Sequence, residues 1–311
     1  MISGSSPMRP GGKSKVMGRP MASNLCRKGF DLVVHDVNPQ AVDSLTALGA
    51  RAANGVAGVA QASSVVVTML PSSVEVEGVV LGPDGVFANG REGLLLMDMS
   101  TVDPHTTDEM HAAAVAAGMS VVDAPVGRLS THADRGECLF MVGASDADFA
   151  RVLPLLQAMG TTIHHCGKVG TGIRTKLVNN CVAVASCQLN AEALALSQKF
   201  GLDLTKTLEV LYGTSATNGQ LRLNWPNKVL AGDTTPGFTI DLAHKDLSLI
   251  IAAANAAKVP MPVSAAAREA YSMARARNYS GCDFSTMVDV LCEMAGIEPP
   301  RLPKGWSSSS G

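Results

Sequence analysis

Two stretches of this chain, Val65 to Leu70 and Leu94 to Met99, are apolar at five of six positions, and a third, Ser120 to Ala124, at three of five; they end at Pro71, Ser100–Thr101 and Pro125. A strand with one wet face alternates apolar and polar residues, so a run this uniformly apolar must be covered on both sides. That is the condition of a parallel sheet held between two helix layers. Two more runs, Leu139 to Val142 and Thr162 to Cys166, stop at Gly143 and Gly167, and Ala-rich helical patterns (Thr106–Ala117, Asp146–Met159) separate them. The alternation predicts an α/β fold with a doubly wound, largely parallel sheet. After Gly172 the strand pattern ends. Ile173 to Gly201 is one long helical pattern, and Leu204–Tyr212, Leu242–Ala257, Ser264–Arg277 and Phe284–Ala295 are helical in turn. An all-α C-terminal domain joined by a long helix is therefore expected, with an α/β domain over 17–168, a helical domain over 169–298 and a Pro- and Ser-rich tail from 299 to 311 that should fray.

Aromatic residues make up only 4% of the 311 positions, so the core has to be built from Val, Leu, Ala, Met and Gly. A net charge of −2 offers no basic face for nucleic acid. No stretch holds the roughly 18 uninterrupted apolar residues of a membrane span. Seven scattered cysteines without a C-x-x-C pair argue against a disulfide framework and for a reducing, cytoplasmic setting. His164, His165 and Cys166 are adjacent, yet a strand sends alternate side chains to opposite faces, so no metal site is expected there.

Residues 1–16 stand apart: they are rich in Ser, Gly, Pro and Lys, and show no hydrophobic strand. A disordered lead is expected. From Met17 the character changes. Met21 to Lys28 reads as a helix, and Asp31 to Asp36 as a short buried strand ending in a carboxylate. Asp36 follows Gly18 by 18 residues. In a dinucleotide fold an acid about 20 residues after the glycine loop binds the adenosine ribose hydroxyls, and it repels a 2′-phosphate. This favours NAD over NADP. Gly18 occupies the third position of G-x-G-x-x-G, whereas Lys13 and Lys15 replace the first two glycines, which normally allow the backbone to approach pyrophosphate.

Further motifs follow in order: Met17-Gly-Arg-Pro-Met-Ala-Ser-Asn-Leu25, Met69-Leu-Pro71, Asp98-Met-Ser-Thr101, Asp123-Ala-Pro-Val126, Gly170-Thr-Gly-Ile-Arg-Thr-Lys-Leu-Val-Asn-Asn180 and Lys245-Asp246. Together they resemble the β-hydroxyacid dehydrogenase family over residues 16–298. The resemblance implies a Rossmann-like N-terminal domain, NAD as cofactor and a homodimer or homotetramer. It implies that Lys176 is catalytic, that Val16, Met17, Asp36, Leu70 and Thr101 contact NAD, and that Lys245 closes over the nicotinamide end. Asn179, three residues beyond Lys176 and so on the same helix face, looks like the substrate-orienting amide, with Asn180 and Ala183 in the same region. The chemistry is coherent. Hydride addition to an aldehyde puts negative charge on oxygen, and a nearby ammonium can stabilise and protonate it. In the reverse direction a neutral lysine would accept the proton.

Most of the family has Ser-Gly-Gly after Asp-Ala-Pro-Val, but here Gly127, Arg128 and Leu129 precede Ser130. An arginine supplies a planar, permanent cation for an oxyanion, so the small hydroxy acid or aldehyde substrate should carry a strongly anionic head. With Trp225-Pro-Asn-Lys-Val-Leu230 and Ile240-Asp-Leu-Ala-His-Lys-Asp-Leu247, this loop resembles the sulfolactaldehyde reductase branch of the family. That branch reduces 3-sulfolactaldehyde to 2,3-dihydroxypropane-1-sulfonate with NADH, and here Arg128 would hold the sulfonate together with the segment 179–183, with Ser130 a further substrate contact. Leu129 and Thr131–His132 depart from the branch pattern. The alternatives are a 3-hydroxyisobutyrate or other 3-hydroxy acid dehydrogenase, and a non-catalytic homologue with a defective cofactor loop. The abrupt onset of family register at Val16 is best explained by a misassigned start, splice or frame upstream of it.

Overall fold

The computed structural model describes residues 1–3 and 17–306. The uniformly apolar runs are strands, and their alternate side chains enter two separate cores. Val66, Leu94, Leu96 and Val121 pack on one face with Val59, Val76, Val80 and Met110. Val67, Leu95, Met97 and Val122 pack on the other with Met21, Leu25, Phe140, Val152 and Leu156. The period of two that a one-sided sheet shows as polar alternation is here apolar on both phases, because both faces are dry.

Strands β1 (Ile2–Ser3), β2 (Val33–Asp36), β3 (Arg51–Ala52), β4 (Val65–Met69), β5 (Leu95–Asp98), β6 (Ser120–Asp123), β7 (Val126–Gly127), β8 (Cys138–Gly143) and β9 (Gly160–Gly167) form one sheet. Their order is β3-β2-β1-β4-β5-β6-β8-β7, with β9 on β8. All pairings from β3 through β6 are parallel, and β8 runs antiparallel to β6 and β7. Helices α1 (Gly18–Arg27), α2 (Pro39–Thr46), α3 (Gly55–Ala62), α4 (Ser73–Leu81), α5 (Val86–Asn89), α6 (Pro104–Ala116), α7 (Ser130–Asp134) and α8 (Asp146–Met159) connect the strands. The expected doubly wound α/β architecture is present.

One expectation is corrected. The composition of residues 1–16 predicts a disordered lead without a strand, yet Ile2–Ser3 is an interior strand between β2 and β4. Ile2 pairs with His35 and Thr68, Ser3 pairs with Asp36 and Met69, and Ile2 is buried. A two-residue run carries no periodicity to read. Its place comes from the two flanking strand edges, whose backbone N–H and C=O groups need a partner. Lys13, Lys15 and Val16 lie outside the described residues.

The chain divides into two compact units, Met1–Leu177 and Val178–Gly311. Helix α9 (Thr171–Lys199) is continuous through the division, and α10 (Leu204–Tyr212), α11 (Ile240–Ala256), α12 (Pro262–Ala276) and α13 (Met287–Ala295) follow. The second unit is helical, as expected, with Trp225 and Tyr271 fully buried in its core. Tyr271 donates its hydroxyl to the Val184 carbonyl at 3.2 Å, so burying the ring leaves no orphaned polar group. Buried Asp283 organises the loop before α11: Oδ2 accepts from the amides of Gly237 and Phe238, and Oδ1 from Ser285. Among the described residues no helix is long and apolar enough to cross a membrane.

Candidate active site

The strand order runs outward in opposite directions from the β1–β4 pair, to β2 and β3 on one side and to β5 and β6 on the other, and such a switch point is where open α/β sheets bind ligands. Asp36 ends β2, 9% exposed, and its Oδ1 accepts the Asn38 amide at 2.8 Å. Helix α1 begins at Gly18 with no acid in its first turn, and among the described residues no side chain caps it. Unsatisfied N–H groups at a helix start favour an anion. Met17 just ahead is half-buried.

Leu70 and Thr101 leave adjacent strands, and a buried polar cluster ties their loops together. Asp98 accepts the Thr68 hydroxyl at 2.7 Å and the Ser100 hydroxyl at 2.6 Å, while Ser100 accepts the Leu70 amide at 2.9 Å. Asp98 and Ser100 received no role from the sequence, although both lie in one of its motifs. Their burial, 1% exposed each, is what distinguishes them. A buried carboxylate bracing two loop starts, a carboxylate at a strand end and a helix start without an acid in its first turn suit the phosphate and ribose of a dinucleotide.

The start of α9 is fixed by Asp123 at the end of β6. Its two oxygens accept the amides of Gly170 at 2.6 Å and Ile173 at 2.7 Å. Burial pushes this carboxyl up to about 6, against the pull of those amides. Gly172 sits against the sheet so closely that a Cβ would collide with the Met141 carbonyl oxygen and come within 2.6 Å of that of Asp123. One turn later Lys176 is 9% exposed, and Nζ donates to the Val126 carbonyl at 2.8 Å. A lysine buried this far is held for a purpose more specific than solubility.

The loop after Val126 departs from the family pattern in a way the backbone explains. Gly127 packs on Leu139, where a Cβ would lie 3.1 Å from the side chain. Arg128 has φ +70°, the left-handed region where glycine is the usual occupant. Its guanidinium donates to the Glu137 carbonyl at 2.7 Å, Thr161 Oγ1 at 3.3 Å and Thr162 Oγ1 at 3.2 Å. All three acceptors are neutral; among the described residues no carboxylate pairs with it. Ser130 Oγ is buried without a hydrogen-bond partner.

In the second unit, Asn180 is buried and donates Nδ2 to Asp246 Oδ2 at 2.6 Å. Asn179 donates Nδ2 to Asn180 Oδ1 at 2.9 Å. The Lys245 ammonium lies 3.3 Å from Asp246 Oδ1, and Ala183 is half-buried one turn beyond Asn179. The structure thus joins Asn179, Asn180 and Lys245 through Asp246, a residue the sequence placed in a motif without a role.

A family model described as the NAD binding domain of 6-phosphogluconate dehydrogenase matches residues 15–167. A second, described as NAD-binding of NADP-dependent 3-hydroxyisobutyrate dehydrogenase, matches residues 170–291. The 3-sulfolactaldehyde reductase of Escherichia coli K12 is 42% identical over 281 residues, covering 90% of this chain and 94% of that protein. The chain belongs to the β-hydroxyacid dehydrogenase family. The 3-hydroxyisobutyrate dehydrogenase of Pseudomonas aeruginosa is 37% identical over 279 residues, covering 87% and 94%. A solved structure of Mycobacterium tuberculosis 3-hydroxyisobutyrate dehydrogenase with L-serine superposes with a TM-score of 0.81 at 29% identity, covering 93% and 98%. As a member of this family the chain is an oxidoreductase that acts on CH–OH groups with a nicotinamide cofactor.

Proposed function

We propose that this enzyme is an NADH-dependent reductase of a small anionic aldehyde, foremost 3-sulfolactaldehyde, yielding 2,3-dihydroxypropane-1-sulfonate. The observation that carries the substrate choice is Arg128, a cation paired with no carboxylate among the described residues, in the loop whose Val126 carbonyl holds Lys176. Its present acceptors are neutral, and a sulfonate oxygen competes well with them for a guanidinium. Ser130, with its buried unpartnered hydroxyl, is the second contact from that loop. Asn179, Asn180 and Ala183 hold the rest of the substrate.

Lys176 Nζ binds the carbonyl oxygen and delivers the proton as charge develops there. When bound, the reduced nicotinamide supplies the hydride. Val16, Met17, Leu70 and Thr101 line the dinucleotide, Lys245 closes over its nicotinamide end, and Asp36 takes the ribose hydroxyls and disfavours a 2′-phosphate. Steady-state kinetics with 3-sulfolactaldehyde and methylmalonate semialdehyde, each with NADH and NADPH, test this reading. The sulfonate with NADH should give the highest kcat/KM. Arg128→Gln should raise KM for the sulfonate by roughly 100-fold and leave NADH binding unchanged. Equal loss on both aldehydes would remove the sulfonate assignment.

The second reading is a 3-hydroxyisobutyrate or related 3-hydroxy acid dehydrogenase. It holds where Arg128 keeps its bonds to Glu137, Thr161 and Thr162 with substrate bound, since donors kept on the protein are not offered to a ligand. We also propose a homo-oligomer, dimer or tetramer, in the cytoplasm. Support for the first is the row of exposed Val178, Val182, Leu189 and Leu196 along α9. Support for the second is that all seven cysteines are unpaired.

A further inference from the structure

Asp246 on α11 is 2% exposed. Its carboxylate receives the Asn180 amide at 2.6 Å and stands 3.3 Å from the Lys245 ammonium. A side-chain amide is nearly symmetric in shape, so nothing steric decides which end is nitrogen; the hydrogen-bond partners decide. Here the deciding partner is Asp246 Oδ2, a carboxyl oxygen that accepts from the amide nitrogen. Asn180 must therefore turn its nitrogen toward Asp246, which leaves its oxygen to accept. Asn179 answers with its own nitrogen, at 2.9 Å. Among the described residues no donor reaches Asn179 Oδ1, so the amide presents one C=O and one remaining N–H in fixed places.

We propose that Asp246 is a positioning residue which, through Asn180, sets the orientation of the Asn179 amide. This rests on the reading above that Asn179 touches the substrate. An amide free to flip would offer donor and acceptor at random on an exposed stretch of helix, and the productive substrate pose would be populated only part of the time. The relay removes that freedom without placing a charge against an anionic substrate, since the charge sits two residues back.

The test has two arms on the full-length chain. The first is a double-mutant cycle on the aldehyde that the wild type turns over best. Asp246→Asn should lower kcat/KM by roughly 30- to 100-fold in the wild-type background and by less than about 3-fold once Asn179 is already alanine. Asn180→Ala, which cuts the relay but keeps the carboxylate, should repeat this non-additivity. Equal losses in both backgrounds, or no loss at all, would overturn the relay. NADH affinity should stay within about 3-fold throughout; a larger change would place the effect at Lys245 instead. The second arm needs no turnover. With selective 15N-asparagine labelling, Asp246→Asn should shift the side-chain NH2 resonances of both Asn180 and Asn179 and speed their exchange with solvent. If only Asn180 responds, the relay does not reach Asn179. A wild type inactive on every aldehyde would defeat the functional reading, while this second arm still decides the relay.

Discussion

Lys176 shows how its surroundings single out one residue as a candidate. A long-chain cation on a helix normally reaches for water, but this one is buried and bonded to the Val126 carbonyl. Lys176→Ala should lower kcat by at least about 100-fold in either direction while NADH titrates normally, which stopped-flow and calorimetry would separate. Unchanged turnover would exclude it as the proton donor. Asp123 is the complementary case. Its carboxyl is raised from 3.8 to about 6 by burial, so the folded state holds the proton that the unfolded state releases. Over that window the folded protein binds more protons, and stability contributed by this group falls as pH rises from about 4 to about 6. The total is on the order of 3 kcal/mol. Subtracting the pH–stability curve of Asp123→Asn from that of the wild type should reveal this decline, and parallel curves would contradict it.

At the level of elements, the junction of β6, β8 and α9 fixes the start of the helix that bears Lys176. Asp123 caps the helix start with two short bonds, and Gly172 lets the backbone come within van der Waals limits of β8. The Gly-x-Gly before Lys176 was legible as a motif, but its purpose was not, because a glycine's neighbours across a sheet cannot be read from its neighbours in the chain. Gly172→Ala should destabilise the enzyme by about 3 kcal/mol through overpacking against backbone atoms that cannot yield. Thermal unfolding would show it, and a variant with wild-type Tm would mean that the junction has room to relax. Strands β4, β5 and β8 were legible for the opposite reason: each runs four residues or more and is apolar enough on both faces for the pattern to survive without context. β1, β3 and β7, with two residues each, carry no such pattern.

At the scale of the whole molecule, the exposed apolar row on α9 has a testable consequence. Between Val178 and Gln198 the helix carries a single charge, Glu192, and Val182, Leu189 and Leu196 recur at intervals of seven. Sustained spacing of that kind is the seam of paired helices. Leu189→Asp should shift the sedimentation coefficient toward the monomer, and an unchanged assembly would place the interface elsewhere.

The sequence by itself determined the α/β-then-α architecture, the dinucleotide chemistry and the identity of Lys176, Asp36 and Asn179 as candidates. These depend on local period, on residue type and on motif spacing, all of which are written along the chain. Contacts distant along the chain place Ile2–Ser3 between β2 and β4, tie the loops of Leu70 and Thr101 together through Asp98 and Ser100, and set Asp246 behind Asn180. Those facts depend on hydrogen-bond partners 30 to 66 residues away in sequence. A polar side chain reveals what it is for only when burial has taken its water away and left one partner in its place.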